Sequence, residues 1–393
     1  MKRTITKNKI KNPIFITLIC LAVIAGVFVY FFYFNKPDKK PDVSKSVEEI
    51  ISSLTLEEKV AQLFIVTPEQ LTPEYSTVIA AGDVTKKAVN KYPVGGIIYL
   101  GPNLVSPDQT KTMLDNVQKY SMERIGLPLF LCIDEEGGQV SRLADSEGFD
   151  LPVFDHMSDV GRRGNTEEAE TIGKTIGSYL KEYGFNTDFA PVADVLLNNE
   201  NQVVIERAFG ENPEVVTKMA GSVKRGLESE SILTTYKHFP GHGDTTADTH
   251  EGYAFSNKTK EELYDCELIP FIDGIKNNVP FIMAGHISFP NITGDDTPAS
   301  LSKDIIEGIL IKELGYKGIV ITDALNMGAV TKEYSSSDAG VKAIEAGVDM
   351  ILMPENFVEA YEGVLSAVKE GRITEDRIDN SLYKILYTKI MRL

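Results

Sequence analysis

Residues 48–393 are predicted to form an α/β catalytic domain, a (β/α)8 barrel of the TIM type, preceded by one transmembrane helix. Three observations predict it. Short apolar runs alternate with longer amphipathic stretches, there are eight such runs, and polar residues gather at their carboxyl ends. Apolar runs without polar alternation read as strands buried on both faces, the pattern of a parallel sheet covered by helices. Eight repeats favour closure into a barrel over an open sheet.

In order, the strand-like runs are Leu63–Val66, Gly96–Leu100, Leu127–Ile133, Asn186–Pro191, Ile232–His238, Phe281–His286, Gly318–Thr322 and Met350–Met353. Helical patterns lie between most of them: Glu167–Tyr183, Glu214–Glu228, Lys260–Lys276, Lys303–Leu314 and Asn356–Lys369. A final helix, Thr374–Leu393, closes the chain. The first strand is weakly marked, and Pro68–Tyr92 is irregular, expected as a loop over the barrel mouth.

Ahead of this domain, residues 1–12 carry Lys2, Arg3, Lys7, Lys9 and Lys11 and no acid, and read as a cytoplasmic basic tail. Pro13–Phe34 is then a run of 22 residues without charge. As a helix it would span about 33 Å, enough to cross a bilayer core. The basic flank keeps the amino end in the cytoplasm and puts the domain outside. The run is longer than the apolar core of a cleaved signal and has no small-x-small site. Ile19 precedes Cys20, where a lipoprotein signal has a small residue. An uncleaved single-pass cell-membrane anchor with an extracytoplasmic domain is therefore expected. Residues 35–47 are polar and proline-containing and read as an exposed linker.

Net charge is −17; residues 1–42 hold eight basic and two acidic side chains, so the rest of the chain stands near −23. A body so acidic is a poor partner for nucleic acid. The three cysteines, Cys20, Cys132 and Cys266, show neither a disulfide framework nor a zinc spacing.

In a barrel, chemistry sits where strands end. Here Asp134, Asp194, the Lys237–His238 pair, His286 and Asp323 each end a run, forming a convergent cup of polar groups. Asp323 ends the most hydrophobic run, where a carboxylate is costly unless paired. Its plainer reading is the N-cap of a helix after Ala324. The segment 237–250 holds three of the five histidines, and its glycines and proline make it a loop. Asp248 and His250 stand two apart, on one side of an extended segment. The Asp can hold one ring nitrogen while the other faces a substrate, and its charge keeps the imidazole protonated near neutral pH. The alternative is a metal site built from His238, His242, Asp244, Asp248 and His250, but no recognised ligand spacing is present, and neither metal nor cofactor is expected. In the stretch Asp134-Glu-Glu-Gly-Gly-Gln-Val-Ser-Arg142 the glycines let backbone approach a ligand, and Asp134 and Arg142 can grip hydroxyls; three acids argue against a phosphate loop. Arg207 alone would read as a surface charge.

The segment Lys237-His-Phe-Pro-Gly-His-Gly-Asp-Thr-x-x-Asp-x-His250 closely resembles the signature of the β-N-acetylglucosaminidases (β-hexosaminidases) of glycoside hydrolase family 3. Asp134-x-Glu-Gly-Gly-x-Val-x-Arg142 and Thr322-Asp-Ala-Leu-x-Met-Gly328 resemble the same family in the same order, and the resemblance covers roughly residues 50–390. It implies a retaining exo-hydrolase acting on a glycan that ends in GlcNAc, with Asp323 attacking the anomeric carbon and His250, oriented by Asp248, as acid/base. It further implies that Asp134, Arg142, Arg207, Lys237 and His238 hold the terminal sugar, and that the histidine loop moves during turnover. Thr249 and Ala208 depart from the family's usual residues, both by small changes. No second α/β domain is expected after the barrel, which by the resemblance disfavours a plain β-glucosidase. The absence of tryptophan favours a pocket for one sugar over a long cleft. Competing readings are a metal-dependent barrel hydrolase, a phosphorylase and an inactive sugar-binding protein. Peptidoglycan fragments, chitin oligosaccharides and other glycosides remain open as substrates.

Overall fold

A computed structural model describes residues 43–245 and 254–393; the expected basic tail and anchor lie outside the described residues, as do Asp248 and His250. The chain divides into a unit over residues 1–46 and a body over residues 47–393. Among the described residues no helix is long and apolar enough to cross a membrane. The first described helix is Val43–Ser53, so residues 43–47 of the expected linker are helical, and the i, i+4 pair Val47 and Ile51 is buried.

Among the described residues the body contains twelve strands: β1 (Phe64–Val66), β2 (Gly96–Ile98), β3 (Phe130–Ile133), β4 (Glu135–Gly137), β5 (Val140–Ser141), β6 (Thr187–Asp188), β7 (Leu233–Phe239), β8 (Ala254–Phe255), β9 (Phe281–Ala284), β10 (Ile287–Ser288), β11 (Ile319–Thr322) and β12 (Ile351–Leu352). Eight of them form one parallel sheet in the order β11-β9-β7-β6-β3-β2-β1-β12. A parallel bridge between Ile321 and Met350 brings the two ends of that order together, so the sheet curls into a nearly closed barrel. Each of the eight predicted runs overlaps one of these strands, β1 included, and β7 runs one residue past its predicted end, to Phe239. The remaining strands are additions at the carboxyl face: β4 and β5 make an antiparallel hairpin, and β8 pairs with β10.

Helix limits follow local chemistry. Asn165 caps Thr166–Tyr183 by accepting the Glu167 and Glu168 amides, and Gly184, at φ 98°, ends it. Asn212 caps Pro213–Ser229, with proline at the first position. The predicted helix Lys260–Lys276 is two helices, Lys260–Asp265 and Leu268–Lys276. Pro270 explains the break: its ring would clash with the carbonyl four residues back, at Cys266. The segment Pro68–Tyr92, expected as a loop, carries two helices, Pro68–Leu71 and Asp83–Lys91, around an irregular stretch. Thr67 builds a capping box with Gln70, which nucleates the first of them.

The last helix, Glu375–Arg392, crosses the amino end of the barrel. Ser381 and Lys384 donate to Asp349, just before β12, at 2.7 and 2.8 Å. Lys389 donates to Gln62, just before β1, at 2.9 Å and lies 5.0 Å from the centre of the Phe130 ring. Phe130 and Phe281, which begin β3 and β9, pack edge to face at 5.2 Å. The amino end is thus plugged, and among the described residues no helix crosses the carboxyl end in the same way.

Candidate active site

The carboxyl ends of the strands surround a cavity of about 310 Å3. Its lining is divided by strand position. Asp134 and Glu136 follow β3, Arg207 lies in the loop after β6, and Lys237 and His238 are on β7; Leu352, Met353, Ile98 and Leu100 come from β12 and β2, which flank β1 across the barrel. Asp323, immediately after β11, lines the same cavity.

The charged side is a linked set of ion pairs. Arg207 donates through Nε and Nη2 to the two oxygens of Glu136 at 2.8 and 2.7 Å. Lys237 Nζ lies 2.7 Å from both Asp134 Oδ1 and Glu136 Oε1. Burial opposes charge on Glu136, but Arg207 and Lys237 outweigh it and hold its carboxyl well below the usual range. Burial likewise opposes the cations, and the acids raise both Lys237 and Arg207 above their ordinary values. The set is therefore ionised at neutral pH. Arg207 also donates through Nη1 to the Val203 carbonyl at 3.2 Å. A guanidinium carries five N–H groups and an ammonium three, so both cations keep donors for a ligand among the described residues.

His238 is fixed from behind. Its Nδ1 lies 2.7 Å from Asp194 Oδ2, while Asp194 Oδ1 accepts the backbone amides of His238 and His242 at 3.0 and 2.8 Å. This pairing engages Nδ1 from behind, and the His238 side chain lines the cavity. Asp194, expected in the cup, is instead fully buried behind His238 and is not part of the lining. His286 is also withdrawn: its Nδ1 lies 2.7 Å from Ser300 Oγ and its Nε2 3.0 Å from the Ala324 carbonyl, bracing the loop after Asp323.

Asp323 does not cap a helix. No helix begins at Ala324; the next, Gly328–Thr331, has Met327 at its N-cap. The Asp323 amide donates to the Ala284 carbonyl at 2.8 Å, and its Oδ1 accepts the Ala324 amide at 2.8 Å. Burial would raise its pKa, but His238, His286, the Ala324 amide and Lys237 together lower it, so the carboxylate is ionised, and it lines the cavity. Such a group can act as a nucleophile.

Arg142 is exposed at the rim and lines the same cavity. The structure thus brings together Asp134, Arg142, Arg207, Lys237, His238 and Asp323. Among the described residues no group of three or more His, Cys, Asp or Glu side chains could hold a metal ion.

Glu136 was absent from the sequence-derived set. Its signal was present: it stands two residues after Asp134 in an extended segment, hence on the same side. Behind it lies a second acidic layer that sequence reasoning also missed. Glu135 is fully buried and accepts from Leu143 N, Ala144 N and Tyr179 Oη at 2.8–3.0 Å, and burial pushes its carboxyl up to about 7. Asp188 Oδ1 accepts the Glu135 amide at 2.9 Å, and its Oδ2 has no partner among the described residues. Burial raises the Asp188 pKa well above its ordinary value.

A parallel barrel with an ionised carboxylate and a network of ion pairs converging at the carboxyl ends of its strands defines a class: TIM-type barrels with a charged site at that face. Residues 55–388 match the model of the glycosyl hydrolase family 3 N terminal domain. The chain belongs to that family. Beta-hexosaminidase A of Pseudoalteromonas piscicida is 30% identical over 322 residues, covering 77% of this chain and 54% of its own length. A beta-hexosaminidase of Nitrosomonas eutropha is 30% identical over 302 residues, 74% of this chain and 84% of its own. The solved structure of a glycoside hydrolase family 3 beta-N-acetylglucosaminidase from Paenibacillus sp. str. FPU-7 superposes with a TM-score of 0.80 at 37% identity, over 86% of this chain and 63% of that one. The chain therefore spans little more than half of the first relative and under two thirds of the Paenibacillus chain.

Proposed function

We propose that the protein is a retaining exo-β-N-acetylglucosaminidase that removes terminal β-linked GlcNAc from cell-wall-type glycans. One observation carries the reading: an ionised Asp323 shares one cavity with the Asp134–Lys237–Glu136–Arg207 set. The clamp residues and His238 hold the hydroxyls and acetamido group of the terminal sugar. Asp323 attacks the anomeric carbon, and the C–O bond to the leaving sugar breaks as His250, oriented by Asp248, protonates the departing oxygen. Water, deprotonated by the same imidazole, then hydrolyses the glycosyl-enzyme, with net retention. The beta-hexosaminidase relatives support the sugar assignment. Residues 13–34, by their length without charge, support attachment to the cell membrane, with the barrel outside.

The test is release of p-nitrophenol from its β-GlcNAc glycoside. Asp323→Ala should lose on the order of 10^4-fold in kcat with an unchanged circular dichroism spectrum. Retention of full activity in that variant would falsify the assignment. EDTA should leave the rate unchanged, and the first-formed free sugar should be the β-anomer by NMR.

A further inference from the structure

The last helix, Glu375–Arg392, carries apolar side chains on two faces. Ile378, Leu382, Ile385 and Leu386 are buried against the barrel. Tyr383, Tyr387, Ile390 and Met391 follow one another at spacings of three and four residues, so they line up along the outer side. The Tyr383 and Tyr387 rings stack with their centroids 6.1 Å apart. Tyr387, Ile390, Met391 and the adjoining Leu393 are 41 to 50% exposed. Twelve large apolar side chains are exposed among the described residues; these four fall within seven positions, and the other eight are scattered between Tyr75 and Val358. Single apolar residues are ordinary at a surface, whereas an aligned cluster marks a contact.

The chain enters the body beside this helix. Lys59 pairs with Glu375 and Asp379, on the first two turns of the helix, each at 2.8 Å. Between Phe34, which ends the uncharged run, and Val43, which begins the first described helix, stand eight residues, able to reach at most about 30 Å. A bilayer that held the run would therefore be present at high effective concentration for the end of the barrel where the chain enters. Local charge agrees. From Asn380 to Leu393 there is no acid, in a body near −23. Lys384 and Lys389 turn inward to Asp349 and Gln62, while Arg392 is exposed. A second copy would instead set another body near −23 against the first.

Resting on the membrane-anchor reading, we propose that the outer face of this helix, Tyr383, Tyr387, Ile390 and Met391, docks on the lipid surface of the membrane that holds residues 13–34. Tyrosine suits that boundary, with its ring against acyl chains and its hydroxyl in water. An amphipathic helix lies in the interface in this way, apolar side down. Docking sets the amino end of the barrel on the bilayer and turns the cavity at the carboxyl ends of the strands away from it, towards polymer outside the membrane.

The chain holds no tryptophan, so a single introduced one is an unambiguous fluorescent reporter. The full chain is reconstituted in vesicles of phosphatidylcholine and phosphatidylglycerol, with or without bromine on the acyl chains, which quenches tryptophan only at close approach. Tyr387→Trp should lose about half of its emission on the brominated lipid, and Val153→Trp, at an exposed site two residues before Asp155 beside the β4–β5 turn, about a tenth or less. Adding Ile390→Asp and Met391→Asp to the Tyr387→Trp chain should bring its quenching down to the Val153→Trp level, with p-nitrophenol release and the circular dichroism spectrum unchanged. Flotation with the vesicles reads the anchor separately. In a chain that floats, quenching of Tyr387→Trp no greater than that of Val153→Trp overturns the docking and leaves the anchor standing, and so does quenching that the two aspartates fail to relieve. A blue shift of Tyr387→Trp that grows with protein concentration, without quenching, assigns the face to a second copy and overturns the docking too. A chain that stays in the soluble fraction overturns both readings.

Discussion

Glu136 shows how much one side chain can organise at the residue scale. Two cations approach its oxygens within 2.8 Å, and its side chain is 2% exposed. Replacing it by Gln would leave buried positive charge undercompensated, a change that costs about 3–5 kcal/mol when one partner of a buried ion pair is removed. Glu136→Gln should lower the urea midpoint accordingly and raise KM, because Arg207 and Lys237 lose their common anchor; an unchanged midpoint would mean that the pairing contributes nothing net. Asp188 makes the opposite prediction. Its folded pKa lies above the ordinary 3.8. The folded state thus keeps a proton that the unfolded chain releases, so this contribution to stability is complete below about 3.8 and is lost as pH rises towards the folded value. Asp188→Asn retains the oxygen that accepts the Glu135 amide and removes the titration. The variant should gain stability relative to the parent as pH rises from about 5 to about 8, by roughly 1–3 kcal/mol. A parent and variant with parallel stability-against-pH curves would show that Asp188 does not retain its proton on folding.

At the scale of elements, the β4–β5 hairpin positions the clamp, because Asp134 precedes it and Glu136 lies within it. Its turn needs Gly137 and Gly138 at φ 83° and 61°. A Cβ on Gly138 would stand 2.8 Å from both Asp155 O and His156 Cα, which are backbone atoms with little freedom to yield. Gly138→Ala should therefore cost about 1–3 kcal/mol, from the left-handed φ and the displaced backbone, and reduce kcat/KM at least tenfold by shifting Glu136. Wild-type kcat/KM in that variant would show that the hairpin does not set the clamp. Elements were largely legible in the sequence, since apolar runs and cap residues act over a few positions. The split at Cys266 was also written there, in Pro270, but the amphipathic pattern continues across it and hides it.

Across the whole molecule, the carboxyl-terminal helix closes the amino end of the barrel. It buries Ile378, Leu382, Ile385 and Leu386 fully. At about 2 kcal/mol for each buried aliphatic side chain, the contribution of these four alone approaches the total stability of a typical domain. Truncation after Ile373 should abolish cooperative thermal unfolding, and a truncated chain that still melts in one sharp transition would contradict the plug. Lys389 sits within that plug, and burial lowers its pKa to about 7. Its folded value lies below its unfolded one, so its cost to stability is greatest at low pH and fades as pH rises above about 7.

The amino-acid sequence by itself determined the barrel, because eight apolar runs separated by longer amphipathic stretches favour one closed arrangement, and the strand-end position of Asp323, Asp134 and Lys237 follows from that arrangement. It also carried the family signature, which is local in the chain. Which polar groups face the ligand was decided only by the tertiary structure. Glu136 meets Arg207 across 71 residues and Asp134 meets Lys237 across 103, while Asp194 and His286, equally placed at strand ends, turn away to brace other residues. Side-chain direction at a strand end depends on the loop that follows and on what packs against it, and those neighbours come from distant parts of the chain.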